Sequence, residues 1–133
     1  MQPAVEEPRL QFAAAHTGGL AGLHLDSGEK LMLYRMREKS GRNYVSGNWI
    51  LPDGTARQLA AGEIDMTPGA TSDIAGRTLP LQWQVKIPSL SLSIASTPLN
   101  PKTWMGTSFA YWEGPISFHG SHAGVGYLEL TGY

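Results

Sequence analysis

The stretch Leu81-Gln-Trp-Gln-Val-Lys-Ile87 alternates strictly between apolar and polar side chains. Its four apolar residues fall on one face of a strand and its three polar residues on the other, which is typical of a strand with one buried face. Residues 90–94 repeat the alternation with leucine, isoleucine and serine. The two stretches are therefore predicted to form an antiparallel hairpin that turns at Pro88 and Ser89.

Turn residues continue this pattern through the whole chain. Sixteen glycines and nine prolines are spread over the 133 residues, at the spacing of turns between short strands. Further strands are predicted at residues 22–26, 30–37, 43–51, 55–60, 107–113, 116–119 and 125–131. Two longer connections, 67–79 and 96–104, lack a clear period and are predicted to form rims or lids. Because closure removes exposed strand edges, we predict an all-β fold, an antiparallel barrel of about eight to ten strands.

Composition narrows the possible partners. The chain has the length of one domain, and we divide it into an N-terminal arm, residues 1–18, and a barrel, residues 19–133. With 16% charged residues and a net charge of -1, nucleic acid is not expected as a partner. There is no cysteine, so disulfides and thiolate metal sites are excluded. No apolar run is long enough to predict membrane insertion, and the first twenty residues do not resemble a signal peptide.

Two predicted strands are apolar on both faces. Residues 30–37 place Leu31 and Leu33 on one side and Met32, Tyr34 and Met36 on the other. The strand at 107–113 has the same character. One apolar face meets the barrel core, so the other needs a cover, either the arm from Pro3 to His16 or a partner subunit.

Four segments carry a resemblance to a known family. Together Gly22–Arg37, Gly47–Gly54, Tyr111–Gly114 and Gly124–Tyr133 resemble the lipocalin-like carotenoid 1,2-hydratase (hydroxyneurosporene synthase) and AttH family. The resemblance covers about residues 19–133 and only the C-terminal half of the family's usual chain, in which two such barrels follow in tandem. The Trp-Asp-Trp-like segment common in the family before the position of Leu23 is missing here.

The resemblance implies a barrel that encloses an apolar pocket. The expected ligand is an apolar small molecule such as a terpenoid, carotenoid, lipid or polyketide. It also implies a partner, because the surface that packs on the companion barrel in the tandem chain would here be free. A homodimer, or pairing with a second lipocalin-like barrel, would cover it. Members of the family are often exported, but this chain shows no export signal, so the compartment is left open.

Two glutamates are the candidate catalytic acids. Hydration or cyclisation of an alkene needs a carboxylic acid kept protonated in an apolar cavity. Glu113 shares a strand face with Tyr111, and Glu129 shares one with Tyr127. The ending Gly-Tyr-x-Glu is similar to the Tyr-x-acid arrangement expected of the hydratases. The alternative is that both glutamates point to solvent or pair with Arg35 or Arg37.

Other residues are weighed as ligand contacts. Trp104 lies in a loop and is the best candidate for a pocket lid, and His24 could line the lumen or face solvent. The further candidate ligand contacts are Trp112, Met32 and Tyr34. His119 and His122 invite a metal interpretation, but no third ligand is fixed by spacing, so no metal is predicted. No G-x-S-x-G elbow and no phosphate-binding loop is present, so neither a serine hydrolase nor a cofactor is predicted.

Three functions therefore remain open. The protein binds an apolar small molecule without changing it, or it is a hydratase, cyclase or isomerase acting on such a molecule by acid catalysis inside the barrel. The third is a structural barrel that acts by pairing with another chain. A large cavity with Glu113 or Glu129 pointing into it favours catalysis, and a filled interior favours the pairing barrel.

Overall fold

A computed structural model describes residues 16–38, 43–105 and 111–131 of the chain. These residues form strands joined by turns and two 3-10 turns, Ala61–Glu63 and Pro88–Leu90. No helix in this part of the chain could cross a membrane. The strands are β1 (His16–Leu25), β2 (Lys30–Glu38), β3 (Asn43–Ile50), β4 (Ala56–Leu59), β5 (Asp65–Pro68), β6 (Ser72–Ile74), β7 (Arg77–Leu79), β8 (Trp83–Ile87), β9 (Leu92–Pro98), β10 (Trp104–Met105), β11 (Tyr111–Gly120) and β12 (Gly124–Thr131).

Ten of the strands form one antiparallel sheet. Its order is β4-β3-β2-β1-β12-β11-β9-β8-β5, with the short β10 paired to β11. Strands β6 and β7 form a separate hairpin. The sheet brings the two ends of the described chain together, because β1 lies between β2 and β12. The prediction of an all-β antiparallel fold with about eight to ten strands is confirmed.

The sheet is curled into a half-barrel whose two end strands, β4 and β5, share no ladder in the described part of the chain. The sequence predicted that hydrogen bonds would close the barrel all the way round. Instead, a short stretch of the chain connects the two end strands. Only residues 60–64 separate the two strands, and Pro68 removes a hydrogen-bond donor from β5. The Glu63 carboxylate holds this link by accepting hydrogen bonds from Arg57 at 2.6 Å, the Ala60 backbone at 2.8 Å and the Ser89 hydroxyl at 2.9 Å.

The hairpin predicted at Pro88 and Ser89 is present. Strands β8 and β9 pair with Ile87 opposite Leu92, and the 3-10 turn Pro88–Leu90 joins them. Side chains of β8 alternate between buried and exposed, in the pattern that the sequence predicted. The buried side chains belong to the inner face of the sheet, which forms the hydrophobic core. Its largest fully buried members are Trp83, Trp112, Leu31, Leu33, Leu59, Leu79, Leu81, Ile87, Ile116, Leu128 and Leu130.

Three boundaries differ from the sequence prediction. The strands expected at 107–113 and 116–119 are one strand in the described residues, and it continues through Pro115. Proline is tolerated there because β11 changes partner, from β10 at residues 111–112 to β9 at residues 116–120. The connection 67–79 contains the β6–β7 hairpin, whose turn residues Ala75 and Gly76 both have positive φ. The connection 96–104 also contributes the end of β9.

Candidate functional site

Among the described residues, the inner face of the half-barrel leaves little space between its side chains. The cavity at its centre measures about 10 Å³ and is lined by inner-face residues such as Leu33, Trp83 and Leu128. That is room for about one water molecule, whereas ligand pockets measure about 300 to 1,000 Å³. This cavity, lined by described residues alone, is therefore too small for an organic ligand.

One end of the interior is polar. Trp83 is buried, and its indole Nε1 has no hydrogen-bond partner among the described residues. The Arg35 guanidinium lies over the Trp83 ring, 5.2 Å from the ring centre, and Ser96 stands opposite Trp83 in the neighbouring strand. Arg35 thus belongs to the inner face and packs on an indole. The candidate glutamates Glu113 and Glu129 lie on the other face of the sheet.

The structure brings together three of the four predicted catalytic residues. Glu113 and Glu129 stand directly opposite each other in the β11–β12 ladder. Side chains in such a pair have their Cβ atoms about 5 Å apart. The Tyr127 hydroxyl donates a hydrogen bond to the Glu113 carboxylate. Alternation places all three on the outer face, because Leu128 and Leu130 between them point into the core.

This placement decides between the two orientations that the sequence left open for the acids. Catalysis inside the barrel needed Glu113 or Glu129 to point into the lumen, and both point away from it. The reason is the register: Trp112 and Leu130, the neighbours of the two acids, take the inner positions of β11 and β12. Tyr111 is on the outer face as well. It lies opposite Thr131 and two residues before Glu113 in β11.

The two carboxylates affect the pKa of the Tyr127 hydroxyl. The pKa of Tyr127 is raised above its usual value of 10.0, first because neighbouring atoms displace water from the phenol. The negative charge of Glu113, the hydrogen bond to Glu113 and the charge of Glu129 raise it further. Tyr127 therefore keeps its proton and acts as a hydrogen-bond donor at neutral pH.

Exposure changes along β12. Glu129 is only 8% exposed and Thr131 is buried, although both belong to the outer face. Tyr127 is 48% exposed and Val125 is 56% exposed. The carboxylate pair thus lies at the border between a covered and an open part of the outer face.

The predicted ligand contacts do not form one pocket. Trp112 is fully buried in the core, and its Nε1 donates a hydrogen bond to the Pro101 carbonyl at 2.8 Å. The backbone of Trp104 pairs with Trp112, and the Trp104 side chain lies outside the described part. The sequence did not decide whether the remaining three candidate contacts face the lumen or the outside. All three lie on the outer face of the sheet: His24, Met32 and Tyr34.

The two histidines of the predicted H-x-x-H stretch are also separated. His119 is exposed on the outer face of β11, opposite Ala95. His122 lies in the following turn, where its Nδ1 is 2.8 Å from the Ser121 hydroxyl. No group of three metal-ligating side chains occurs among residues 16–38, 43–105 and 111–131.

An apolar surface, which the sequence analysis identified only at the second apolar face of residues 30–37, runs across the outer face of the sheet. One row of the sheet places Pro115, Tyr127, Gly22 and Met32 side by side. Val125 is the next outer residue of β12, and Leu99 donates its backbone N–H to the Pro115 carbonyl at 2.9 Å. We call this surface the outer patch: Leu99, Pro115, Val125, Tyr127 and Met32.

Glycine gives the outer patch its shape. Gly22 has no side chain, and Met32 lies over it, so that a Cβ on Gly22 would approach the Met32 sulfur to 3.3 Å. The sequence contained one sign of this shape, the glycine at position 22 between the apolar residues of β1. Alternation alone does not distinguish such a strand glycine from a glycine in a turn. Three of the five exposed large hydrophobic residues in the described part belong to the outer patch: Leu99, Val125 and Tyr127.

The fold is that of a lipocalin-type barrel, and its outer side carries an apolar surface. A family model described as AttH-like matches residues 16–133, and the chain belongs to this AttH-like family. The resemblance noted in the sequence is thereby confirmed at the level of AttH. The narrower naming as a carotenoid hydratase remains an expectation.

A solved structure agrees with the family. The crystal structure of a Nitrosomonas europaea protein assigned to AttH, at 2.00 Å resolution, resembles this chain with a TM-score of 0.77 and 25% sequence identity. The match covers 96% of this chain and 40% of the Nitrosomonas chain. This chain thus spans less than half the length of that protein. No curated protein matches the chain.

Proposed function

We propose that this protein functions as a pairing barrel, whose outer patch binds the outer patch of a second copy of the chain. The observation that carries the proposal is the exposed apolar surface on the outer face, beside an inner face whose described residues enclose only a small cavity. Monomers seldom expose clustered large apolar side chains, and such clusters usually mark an interface. The apolar chemistry predicted from the sequence then belongs to a protein partner.

The register of the sheet makes the outer patch self-complementary. A two-fold axis through Tyr127, diagonal to the strands, stacks the two Tyr127 rings on each other and places Pro115 of one copy over Val125 of the other. The same axis brings Glu113 of one copy to His24 of the other, because these residues lie at mirrored positions around Tyr127. A closed two-fold dimer is the commonest way for one surface to bind itself.

Sedimentation equilibrium tests the proposal. The chain of 14.4 kDa is expected to show a reversible dimer as its concentration rises from micromolar to millimolar. Tyr127→Ala removes the aromatic centre and should weaken dimerisation by about thirtyfold, the loss typical of an interface hot spot. Tyr44→Ala is the matched control, because Tyr44 is 39% exposed on the outer face but lies on β3, away from the outer patch. A strict monomer at every concentration contradicts the proposal.

A charge exchange tests the orientation of the two copies. Glu113→Lys should weaken the dimer, since it places a cation against His24 of the second copy. Adding His24→Glu to the same chain should restore much of the lost affinity, because the pair is then attractive again. If the double variant dimerises no better than Glu113→Lys alone, the diagonal axis is wrong.

A second candidate function rests on the acid and phenol cluster. Glu113, Glu129 and Tyr127 converge at the edge of the outer patch, and a covering barrel would remove water from them. A carboxylic acid in such a covered site could protonate an apolar alkene, as the hydratase, cyclase or isomerase hypothesis requires. A terpenoid-like or carotenoid-like molecule would then bind between the two barrels.

Turnover of an acyclic carotenoid dispersed in detergent tests this candidate. Conversion by the native chain should be lost in Glu129→Gln and in Glu113→Gln, which keep the shape of the side chain without its acid. Glu29→Gln is the control, since Glu29 is on a distant turn. Turnover that is absent in the native chain, or unchanged in both variants, removes the cluster from catalysis and leaves the pairing function standing.

A further inference from the structure

A groove runs along the outer face of β9, next to the outer patch. Its volume is about 370 Å³. Gln84, Ala95 and His119 form one row across β8, β9 and β11, and Lys86 stands opposite Ser93 in the adjacent row. The groove exists because the middle strand carries small side chains between longer ones on its neighbours. We call it the outer groove: Gln84, Lys86, Ser93, Ala95 and His119.

The backbone holds one end of the outer groove in place. The Ser121 hydroxyl accepts a hydrogen bond from the Ser93 N–H at 2.7 Å, and the Ser121 N–H donates to the Ser93 carbonyl at 2.9 Å. Gly120 makes this close approach possible with φ of 138°, and a Cβ there would lie 2.3 Å from the Ser93 oxygen. The strands that carry the polar walls are therefore fixed relative to one another.

We propose that the outer groove binds the phosphate group of a small phosphate monoester. Every polar side chain that lines it can donate a hydrogen bond: the Lys86 ammonium, the His119 imidazole, the Gln84 amide and the Ser93 hydroxyl. Donors on three strands suit a tetrahedral oxyanion that accepts from several directions. The described lining contains no guanidinium, the group that favours planar carboxylates in a bidentate pair.

The size of the groove agrees with this class of ligand. The walls on β8 and β11 are two strand spacings apart, or about 9.6 Å between strand axes. A phosphate between Lys86 and His119 fits this width and leaves part of the groove for a small organic group. This site is separate from the outer patch, so the proposal does not depend on dimerisation.

Neighbouring charges decide how strongly an anion is attracted. Asp65 on β5 stands directly opposite Lys86 and competes for its ammonium. On the far side, His122 and Glu29 lie beyond the Ser121 turn and interact with each other.

Isothermal titration of the full chain with glycerol phosphate and with inorganic phosphate tests the site. Saturable binding in the millimolar range is expected for both. Lys86→Gln should weaken it about fivefold, the size of one charge contact at an exposed site, and Asp65→Asn should tighten it by a similar factor. Lys30→Gln removes a lysine on the distant strand β2 and should change nothing.

Two results would overturn the proposal. The first is no saturable binding of either phosphate. The second is an equal loss in Lys30→Gln and Lys86→Gln, which means attraction by overall charge alone. His119→Gln tests the opposite wall of the groove: it should weaken the binding of glycerol phosphate, because His119 lines the groove and its imidazole can donate a hydrogen bond. An unchanged affinity in His119→Gln rejects His119 as a contact.

Discussion

The inner and outer faces of the same sheet follow different rules. On the inner face, leucine, isoleucine and tryptophan side chains pack until only about 10 Å³ is left. On the outer face, the same strands carry methionine, tyrosine and glutamate, and exposure reaches 56% at Val125. Both faces contain apolar residues. Those of the inner face are buried, whereas several of those on the outer face are exposed to solvent. The difference is the basis of the proposal that the outer patch binds a second copy of the chain.

The sharpest test of this contrast compares two neighbouring residues of β2. Leu33 is fully buried on the inner face, and Met32 is half-buried on the outer face. Leu33→Ala should lower the free energy of unfolding by about 2 to 5 kcal/mol, because it leaves a cavity in a close-packed core. Met32→Ala should cost less than about 1 kcal/mol in the monomer. Urea unfolding at low protein concentration measures both. Equal losses would mean that the outer face is also part of the core.

The link between the end strands offers a smaller, pH-dependent test. The pKa of Glu63 is lowered by the Ala60 N–H, then by the Ser89 hydroxyl and, more weakly, by Arg57. A lowered pKa means stability that is present above the ordinary value of 4.5 and is lost as the pH falls through the folded-state value. The melting temperature should therefore decrease on acidification below pH 4.5, and less so in Glu63→Gln.

Two further variants divide this effect by cause. Ser89→Ala and Arg57→Gln should each remove part of the acid sensitivity due to Glu63, because the hydroxyl and the guanidinium both stabilise its carboxylate. If neither variant changes the acid sensitivity, Glu63 is not its source.

The smallest expected effect concerns the phenol of the outer patch. Tyr127 should ionise at higher pH than a free tyrosine, and Glu113→Gln should lower its pKa by removing both the charge and the carboxylate acceptor. Ultraviolet difference spectra of the native chain, with Tyr127→Phe as the reference for the other four tyrosines, measure this shift. An unchanged pKa in Glu113→Gln would separate Tyr127 from the carboxylate pair.

The sequence predicted structure best where apolar and polar residues alternate strictly and only one face is apolar. The alternation at 81–87 predicted both a strand and its buried face, because burial of one face imposes a period of two. The shared face of Glu129 and Tyr127 followed from the same period. Alternation does not state which face meets the core, however, when both carry apolar residues. The sequence therefore left open whether the two acids point into the lumen or away from it, and they lie on the outer face.

Long-range pairing was the other missing information. The juxtaposition of Glu113 and Glu129, sixteen positions apart in the chain, depends on the register of β11 against β12. That register is set by the turn between them and by packing in the core, which no short stretch of sequence contains. The outer groove depends on three strands in the same way, so no single motif could have indicated it.

Oxidative footprinting of the methionines tests the central claim most directly, because Met32 belongs to the outer patch and Met66 to the core. Met66 should be protected from brief hydroxyl-radical exposure at every protein concentration. Met32 should oxidise in the dilute monomer and become protected as the concentration rises, with protection lost in Tyr127→Ala. Oxidation of Met32 that is the same at all concentrations would contradict the account, since the outer patch would then stay open to solvent.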